Sequence, residues 1–409
     1  MVQTPARGRA GLTRDARLII TVQGLRAFAY GIGSVLIGVS LARSNLSGTR
    51  VGLVFAFILV GAAIASLALG RLGDRVGRRT AYRVLLVVMG IAGAVFALTD
   101  SLPALLLAAL TGTVSTDVVE SGPFTSLEQA MLPQTVAHDR TSRLFGTYNT
   151  VATLAGSLGA LAAGAPALLG QSSPQRWLLV YPVAATLALP FAARLSAGIE
   201  PPPRSGERHA ALGPSRTLVR RMSGLFALDS FGGGFVIQSF IAYWFSRKFH
   251  ASPETLGLVF FGIGLLQAGS FQVAVRLAGR IGLLRTMVFT HLPSNLLLMA
   301  VPFAPNLGTG IALLLGRFIL SQMDVPARQA YVVAVVDPDE RTAAAAYTNS
   351  ARYAARPIAP ILAGALVQAS TLAAPFVIAG ALKSVYDLAF YRMFRHVPLD
   401  RPVRRDDGG

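Results

Sequence analysis

Residues 70–79 read GRLGDRVGRR, a short basic segment between two long apolar stretches. About 205 residues later, residues 276–282 read RLAGRIG. The sequence RLGDRVG of residues 71–77 aligns with this second segment without a gap, and five of the seven positions are identical or near-identical. A basic loop that recurs at half the length of a hydrophobic chain predicts two copies of one membrane module.

Three further matches support this internal repeat. They pair residues 30–33 (YGIG) with 231–234 (FGGG), residues 128–130 (EQA) with 328–330 (RQA), and residues 138–141 (HDRT) with 339–342 (DERT). All of the matches fall at offsets of 200–205 residues and in the same order along the chain. The order indicates a duplication of the whole module and not of one loop.

The composition is typical of a membrane protein. Of 409 residues, 53% are hydrophobic and only 14% are charged, with a mean hydropathy of +0.55, whereas about a quarter of the residues in soluble domains are charged. Stretches of about 20 apolar residues recur, each long enough to cross the hydrocarbon core of a bilayer. They predict twelve spans, at 17–42, 49–71, 80–99, 103–133, 143–170, 175–196, 220–246, 254–278, 283–304, 308–335, 342–368 and 371–395.

The Lys and Arg residues are unevenly distributed between the two sides of these spans. With both termini on one side, 26 of the 37 lie on that side, 5 lie on the other and 6 lie within spans. The positive-inside rule therefore predicts that the N- and C-termini are cytoplasmic, and it accounts for the net charge of +18 without nucleic-acid binding. The Pro-rich, polar segment 197–219 is the predicted cytoplasmic linker between six-helix domains 1–196 and 220–409.

The first basic loop also resembles the signature loop of the major facilitator superfamily, roughly G-x-L-x-D-R-x-G-R-R between spans 2 and 3. The resemblance implies an all-α integral membrane fold, with 12 transmembrane helices in two pseudo-symmetric six-helix bundles and a small-molecule substrate bound between them. It implies a secondary active transporter that works by alternating access. Proton-coupled efflux is the leading expectation. The alternatives are import of a metabolite, organic anion or metal chelate, and a non-transporting sensor or scaffold on the same fold.

The resemblance also assigns a conformational latch to the first loop. By position in the motif, the latch residues are Gly70, Asp74, Arg75, Gly77 and Arg78. In this family the matching aspartate lies near the cytoplasmic end of span 11, so Asp74 is expected to hold the outward-facing state close to Arg341. Gly279 replaces the aspartate in the second copy, so the latch is expected to be one-sided.

Twelve charged residues fall within or near the ends of the spans, where an unpaired charge costs a few kcal/mol or more. The acids are Asp117, Glu120, Glu128, Asp229, Asp324 and Asp387, and the bases are Arg26, Arg317, Arg328, Arg352, Arg356 and Lys383. On continuous helices they form one-sided stripes in spans 4, 10 and 11. Because Glu128 and Arg328 are equivalent in the repeat and opposite in sign, we expect a gate ion pair across the halves. It would join Glu128 to Arg328, Arg352 or Arg356; the alternative is pairing within each half.

The remaining polar residues in the spans predict a proton-coupling site and a substrate cavity. Asp117 and Glu120 lie nearer the midplane, where an apolar surrounding helps a carboxylate to bind a proton, and Asp229 and Asp324 are further candidates. Arg26 is expected to neutralise Asp229, or alternatively to bind an anionic group of the substrate. Asn149 and Asn349, 200 residues apart, are expected to line the cavity or to bond across helices. His291 is expected to serve packing, and the alternative is a proton relay.

Several classes of function lack their motifs. The chain has no cysteine, no Walker loop for ATP and no histidine spacing typical of a metal site. We therefore expect no enzymatic activity, no cofactor and no bound metal. The expected partners are a small-molecule substrate, protons and the lipid bilayer, without nucleic acid. The expected form is a monomeric, multi-pass protein of the bacterial cytoplasmic (inner) membrane.

Overall fold

The computed structural model describes residues 12–117, 122–136, 141–168, 173–200, 213–337, 340–369 and 372–397. The side chains of residues 70–75, 141–143, 167–168, 333 and 341–342 are outside the described part. The described residues form α-helices, short 3-10 turns and connections, and no strand occurs among them. In chain order the helices are α1 (Arg14–Arg43), α2 (Gly48–Val76), α3 (Arg78–Leu98), α4 (Leu102–Leu110), α5 (Pro123–Met131), α6 (Thr141–Ala162), α7 (Ala165–Leu168), α8 (Val180–Ala193), α9 (Arg216–Gly234), α10 (Gln238–Phe249), α11 (Pro253–Ile281), α12 (Leu283–Ala300), α13 (Leu307–Ser321), α14 (Asp324–Val335), α15 (Arg341–Ala355), α16 (Ile358–Gln368) and α17 (Ala374–Phe394).

Apolar spans fold as helices because a bilayer offers no water to their backbone polar groups. Eight described helical segments are long and apolar enough to cross a membrane: residues 14–43, 48–69, 78–98, 174–193, 216–249, 253–281, 283–303 and 307–332. The other four predicted spans, 4, 5, 11 and 12, are also occupied by helix. The all-helical membrane fold is thus confirmed, while the count of twelve spans and the cytoplasmic termini stay predictions.

The two copies of the basic loop have the same backbone turn. Gly77 separates α2 from α3 and Gly282 separates α11 from α12, and both have a φ of 89°. A side chain at such a φ is strained, so each copy places glycine at the turning residue. Because Gly77 and Gly282 are the last aligned residues of RLGDRVG and RLAGRIG, the structure reproduces the repeat that the sequence predicts.

Four of the predicted spans are interrupted near their middle. The interruptions lie between α4 and α5, α9 and α10, α13 and α14, and α15 and α16. In the interruption between α4 and α5, Gly112 has a φ of 66°, which is not helical. Pro123 begins α5 and cannot continue a helix that precedes it. Non-helical backbone inside a membrane is tolerated only where protein or water satisfies it. The prediction of a continuous helix with a charged stripe in span 4 is therefore wrong, since Asp117 lies in the interruption.

Helices of the two halves pack together at the end of the molecule that lies away from the basic loops. The pairs are α1 with α10, α2 with α16, and α6 with α11. Glycines allow the backbones to approach: a Cβ on Gly52 would collide with the Pro360 carbonyl oxygen, and one on Gly38 with the Ser239 carbonyl oxygen. This end is called the outer seam below.

The buried apolar side chains form two clusters. The larger contains residues of both halves, for example Phe55 of α2 and Phe240 of α10. The smaller lies wholly in the C-terminal half and includes an aromatic group around Phe390. The bounds of the predicted domains 1–196 and 220–409 stay predictions, because linker residues 201–212 are outside the described part.

Candidate functional site

Asp117 connects the two halves at the interruption of span 4. Its carboxylate accepts the Gln238 backbone N–H at 3.0 Å and pairs with the Arg356 guanidinium at 2.5 Å. Gln238 is the first residue of α10, so the carboxylate lies at a helix N-terminus, which favours negative charge. Both partners belong to the C-terminal half. A charge-assisted link therefore crosses between the halves through a single carboxylate.

Neighbouring hydrogen bonds extend this link into a seam. The Ser239 N–H donates to the Thr116 carbonyl oxygen at 3.1 Å, and the Gln238 side chain donates to the Ser34 hydroxyl at 3.1 Å. At the outer ends of α2 and α16, the Thr49 hydroxyl donates to the Gln368 side-chain oxygen at 2.5 Å. The interruptions of spans 4 and 7 thus meet in polar contact, so backbone groups freed in one half are satisfied by the other.

Glu128 is the centre of an ion pair inside the N-terminal half. It is fully buried and accepts from Arg26 at 2.7 Å, from the Tyr82 hydroxyl at 2.5 Å and from the Tyr148 hydroxyl at 2.5 Å. Arg26 also contacts the Gln23 side-chain oxygen and lies over the Phe124 ring, 4.4 Å from its centroid. These residues, Arg26, Tyr82, Glu128 and Tyr148, form the N-terminal charge cluster, which has no net charge.

The expected gate pair of Glu128 with Arg328, Arg352 or Arg356 is not formed in this structure. Glu128 pairs with Arg26, and Arg328 pairs with Asp229 and Asp324 of its own half. Three donors from three helices surround Glu128, and all three belong to its own half. Arg26 likewise does not neutralise Asp229, contrary to the expectation from the sequence. The observed cross-half ion pair is Asp117 with Arg356.

Six charged residues gather inside the C-terminal half, on helices α9, α13, α14, α15 and α17. They are Asp229, Arg317, Asp324, Arg328, Arg352 and Lys383, here called the C-terminal charge cluster. Asp229 accepts from Lys383 at 2.7 Å and from Arg328 at 3.3 Å, and Arg328 also pairs with Asp324 at 3.0 Å. The cluster contains four cationic and two anionic side chains.

A second buried group in the C-terminal half joins α12 to α17. His291 Nδ1 lies 2.9 Å from one Asp387 carboxylate oxygen, and the Asn295 amide donates to the other at 2.8 Å. His291 is therefore an Asp387 partner, whereas the sequence favoured a packing role over a proton relay.

The latch loop is described only in part. The side chains of Asp74, Arg75 and Arg341, and the whole of Glu120, lie outside the described residues, so the latch stays a prediction. Arg78 is described: its guanidinium donates to the Ala130 carbonyl oxygen at 3.0 Å. The Glu200 carboxylate accepts the Arg78 and Arg79 backbone N–H groups at 2.7 and 3.1 Å, and so caps α3.

The two predicted cavity asparagines form no hydrogen bond across helices to a residue that the structure describes. Asn149 on α6 and Asn349 on α15 are exposed, and neither hydrogen-bonds to another described residue. Their role in the cavity stays a prediction. Among the described residues, no group of three or more His, Cys, Asp or Glu side chains is arranged to hold a metal ion.

Sequence reasoning missed three contributors to these sites. The hydroxyls of Tyr82 and Tyr148 carry no sequence signal, because tyrosines are common in membrane helices as packing residues. Gln238 was detectable as a polar residue directly after the glycine run of span 7. Its backbone N–H, however, acts through the helix N-terminus, which becomes apparent only when the interruption of the span is known.

Comparison with known proteins agrees with this architecture. The family model of the Major Facilitator Superfamily matches residues 19–243 and 222–408. The chain is 26% identical over 422 residues to the uncharacterized membrane protein YJR124C of Saccharomyces cerevisiae, covering 93% of this chain and 94% of that one.

Solved structures of transporters have the same fold at low identity. The nucleoside transporter NupG superposes with a TM-score of 0.73 at 13% identity, covering 93% of this chain and 99% of that one. A bacterial homologue of the human lysosomal transporter Spinster, in an inward-facing and occupied conformation, gives a TM-score of 0.72 at 15% identity, covering 94% and 97%. The family consists of transporters, which confirms that the chain is not an enzyme. The repeated loop, the paired helical halves and the family match over nearly the whole chain show that this multi-pass membrane protein belongs to the major facilitator superfamily.

Proposed function

We propose that the protein is a proton-coupled secondary transporter in which Asp117 is the coupling carboxylate. The observation that carries the proposal is the cross-half link of Asp117 with Arg356 and the Gln238 N–H. The carboxylate belongs to one half, while both of its partners belong to the other. A change in its charge therefore acts directly on the contact that must open when the halves move apart.

The conformation of the seam supports alternating access. The described contacts between the halves concentrate at the outer seam, away from the basic loops. With the orientation predicted by the arginine distribution, the outer seam faces away from the cytoplasm, so the structure corresponds to an inward-facing state. Transport then requires the outer seam to separate and the opposite ends of the halves to close.

Protonation of Asp117 weakens the outer seam for two reasons. The neutral acid loses its Coulomb attraction to Arg356, and it loses the favourable interaction with the N-terminus of α10. The side chains of Asp117 and Arg356 are 19% and 27% exposed, so a proton can reach the pair without unfolding of either half. Proton binding thus biases the protein toward the outward-facing state.

The predicted direction is efflux. Export by exchange for protons and import together with protons both use this seam, and they differ in the sign of the pH change. In proteoliposomes that contain a pH dye, external addition of a transported solute alkalinises the lumen for exchange and acidifies it for import with protons. Efflux therefore predicts alkalinisation.

The seam is tested by distances between spin labels. The chain contains no cysteine, so pairs can be introduced without background labelling. The pair Asn45→Cys and Pro305→Cys reports on the outer ends of the halves. The pair Val76→Cys and Ile281→Cys reports on the opposite ends. All four positions are exposed. Acid is expected to lengthen the outer distance and shorten the other, and Asp117→Asn is expected to do the same at neutral pH.

The matched control is Asp100→Asn, which removes an exposed carboxylate on the outer side. It should leave the pH response of both distances unchanged. If Asp117→Asn keeps the outer ends together at neutral pH and retains the acid response of the wild type, Asp117 is not the coupling carboxylate.

A further inference from the structure

We propose that the C-terminal charge cluster is a binding site for an oxyanion and that the transported solute carries a carboxylate or phosphate group. Arg317 and Arg352 supply the free positive charge of this site. The inference rests on the proposed transport function, and it adds the substrate class and the half that recognises it.

Arg317 is a buried cation without a partner among the residues that the structure describes. It lies on α13 with only 7% of its surface exposed, yet it makes no hydrogen bond or ion pair with any of them. Its Nε is enclosed and unsatisfied, and its guanidinium lies 4.7 Å from the centroid of the Phe318 ring. A buried arginine in this condition costs several kcal/mol in a membrane interior, unless a ligand or water supplies acceptors.

Arg352 is the second cation without an ion-pair partner among the described residues. It lies on α15, is half-buried, and its Nε is also enclosed and unsatisfied. Asp229 and Asp324 lie within electrostatic range of both Arg317 and Arg352. Both cations therefore lie near the same two carboxylates.

The carboxylates of the cluster are already engaged by other cations. Asp229 is held by Lys383 and Arg328, and Asp324 is held by Arg328. Four cations stand against these two carboxylates and the neighbouring Asp387, so the group keeps a positive surplus. The N-terminal charge cluster supplies no compensation, because Arg26 and Glu128 neutralise each other.

One pocket at the outer seam carries charge of the same sign as the cluster. A pocket between the halves there is lined by Arg43, Arg247 and His250, and no acidic residue is among its lining residues. A positive mouth raises the local concentration of anions and repels cations. The buried cluster therefore favours an anionic solute, and the charge of the outer pocket does not oppose the release of an anion on that side.

The guanidinium group explains why the ligand should be an oxyanion. Its planar fork of N–H donors matches the geometry of carboxylate and phosphate oxygens and binds them bidentately. A ligand with one or two negative charges beside Arg317 and Arg352 would neutralise the surplus and accept hydrogen bonds from the guanidinium N–H groups that remain accessible. A neutral sugar or a cationic drug would leave the surplus in place.

The first test needs no knowledge of the ligand. Arg317→Gln removes a buried charge that has no described partner, so the variant should be more stable than the wild type in a buffer without organic anions. We expect its Tm to rise by about 2 °C or more. Arg280→Gln is the control, because it removes an exposed arginine from the same half, and it should leave Tm unchanged. A lower Tm for Arg317→Gln would show that Arg317 is structural and would overturn the proposal.

The second test uses probes of similar size and different charge. Benzoate and phenyl phosphate carry the proposed groups, benzyl alcohol is neutral and benzylamine is cationic. Only the two anions should raise the Tm of the purified protein, and the rise should be lost in Arg317→Gln/Arg352→Gln but kept in Arg280→Gln. Equal stabilisation of the wild type and the double variant would reflect a general salt effect and would overturn the inference.

The two proposals fail in different ways. If the spin-label distances respond to pH through Asp117 but the anions bind no better to the wild type than to the double variant, the substrate class is wrong and the coupling mechanism stands. If the anions bind through Arg317 and Arg352 but the distances never change, the site is a binding site without the proposed transport cycle.

Discussion

Glu128→Gln removes the negative charge at the centre of the N-terminal charge cluster and leaves Arg26 buried without a counter-ion. Arg26 is 3% exposed and Glu128 is fully buried, so water cannot replace the lost charge. Breaking a buried pair by removing one partner costs about 3–5 kcal/mol. We place Glu128→Gln in this range, and Arg26→Met close to it, because each leaves one uncompensated charge.

The double variant Arg26→Met/Glu128→Gln should recover a large part of this loss, since neither buried charge remains. We expect a coupling energy of at least about 2 kcal/mol between Arg26 and Glu128. The same cycle with Glu128→Gln and Arg328→Gln should be additive within about 0.5 kcal/mol, because these residues share no partner in the described part of the chain. Unfolding in mixed detergent micelles, followed by tryptophan fluorescence, measures each free energy.

The result that refutes this reasoning is the reverse pattern. If Glu128 couples strongly to Arg328 and not to Arg26, Glu128 acts across the halves, and the pairing within the N-terminal half does not determine its energy. Tyr82→Phe is a useful companion, because it removes one 2.5 Å hydrogen bond to Glu128 and leaves the ion pair intact. Its cost should be about 1–3 kcal/mol, below that of Glu128→Gln.

Three further outcomes follow from the fold. Gly77→Ala and Gly282→Ala should each destabilise the protein by about 1 kcal/mol, measured by unfolding in micelles, because both glycines have a φ of 89°; equal stability to the wild type would contradict this. Asp387→Asn should cost about 1–3 kcal/mol in the same assay, since it weakens contacts with a histidine and an asparagine on α12; no loss would mean that these contacts contribute little. Oxidation of Thr49→Cys/Gln368→Cys should hold the outer seam closed and stop transport until a reductant is added; continued turnover of the cross-linked protein would exclude opening at this seam.

The sequence predicted the repeat and the membrane fold because both leave periodic signals. The backbone turn needs glycine at Gly77 and at Gly282. Both copies of the loop therefore keep this glycine, although Asp74 of the first copy has no counterpart in the second. The length of the apolar stretches identifies most of the spans directly. The interruptions were harder to predict, because glycine and proline are also frequent in membrane helices that cross the bilayer without a break. Only the backbone geometry at Gly112 and Pro123 places Asp117 outside a helix.

The charged residues of the spans can be identified from the sequence, but their partners could not be predicted from it. A helical projection gives the face of a residue only while the helix is continuous and its rotation about the axis is known. Spans 4, 10 and 11 are each interrupted, so the projection fails beyond the break. The tyrosine hydroxyls that hold Glu128 come from two further helices, and no local pattern connects them.

The ion pairs of the two halves have equivalent places and opposite polarity. In the N-terminal half Arg26 of α1 meets Glu128 of α5, and in the C-terminal half Asp229 of α9 meets Arg328 of α14. The sign difference between Glu128 and Arg328 is thus matched within each half by a partner of opposite charge.

The two ion pairs also differ in the side chains that surround them. The N-terminal pair is closed by tyrosine hydroxyls and stays neutral, whereas the C-terminal pair is joined by Lys383, Arg317 and Arg352 and becomes cationic. We infer a division of roles. The C-terminal half attracts the solute by charge, while the N-terminal half contributes Asp117, the carboxylate that links its own protonation to the opening of the seam.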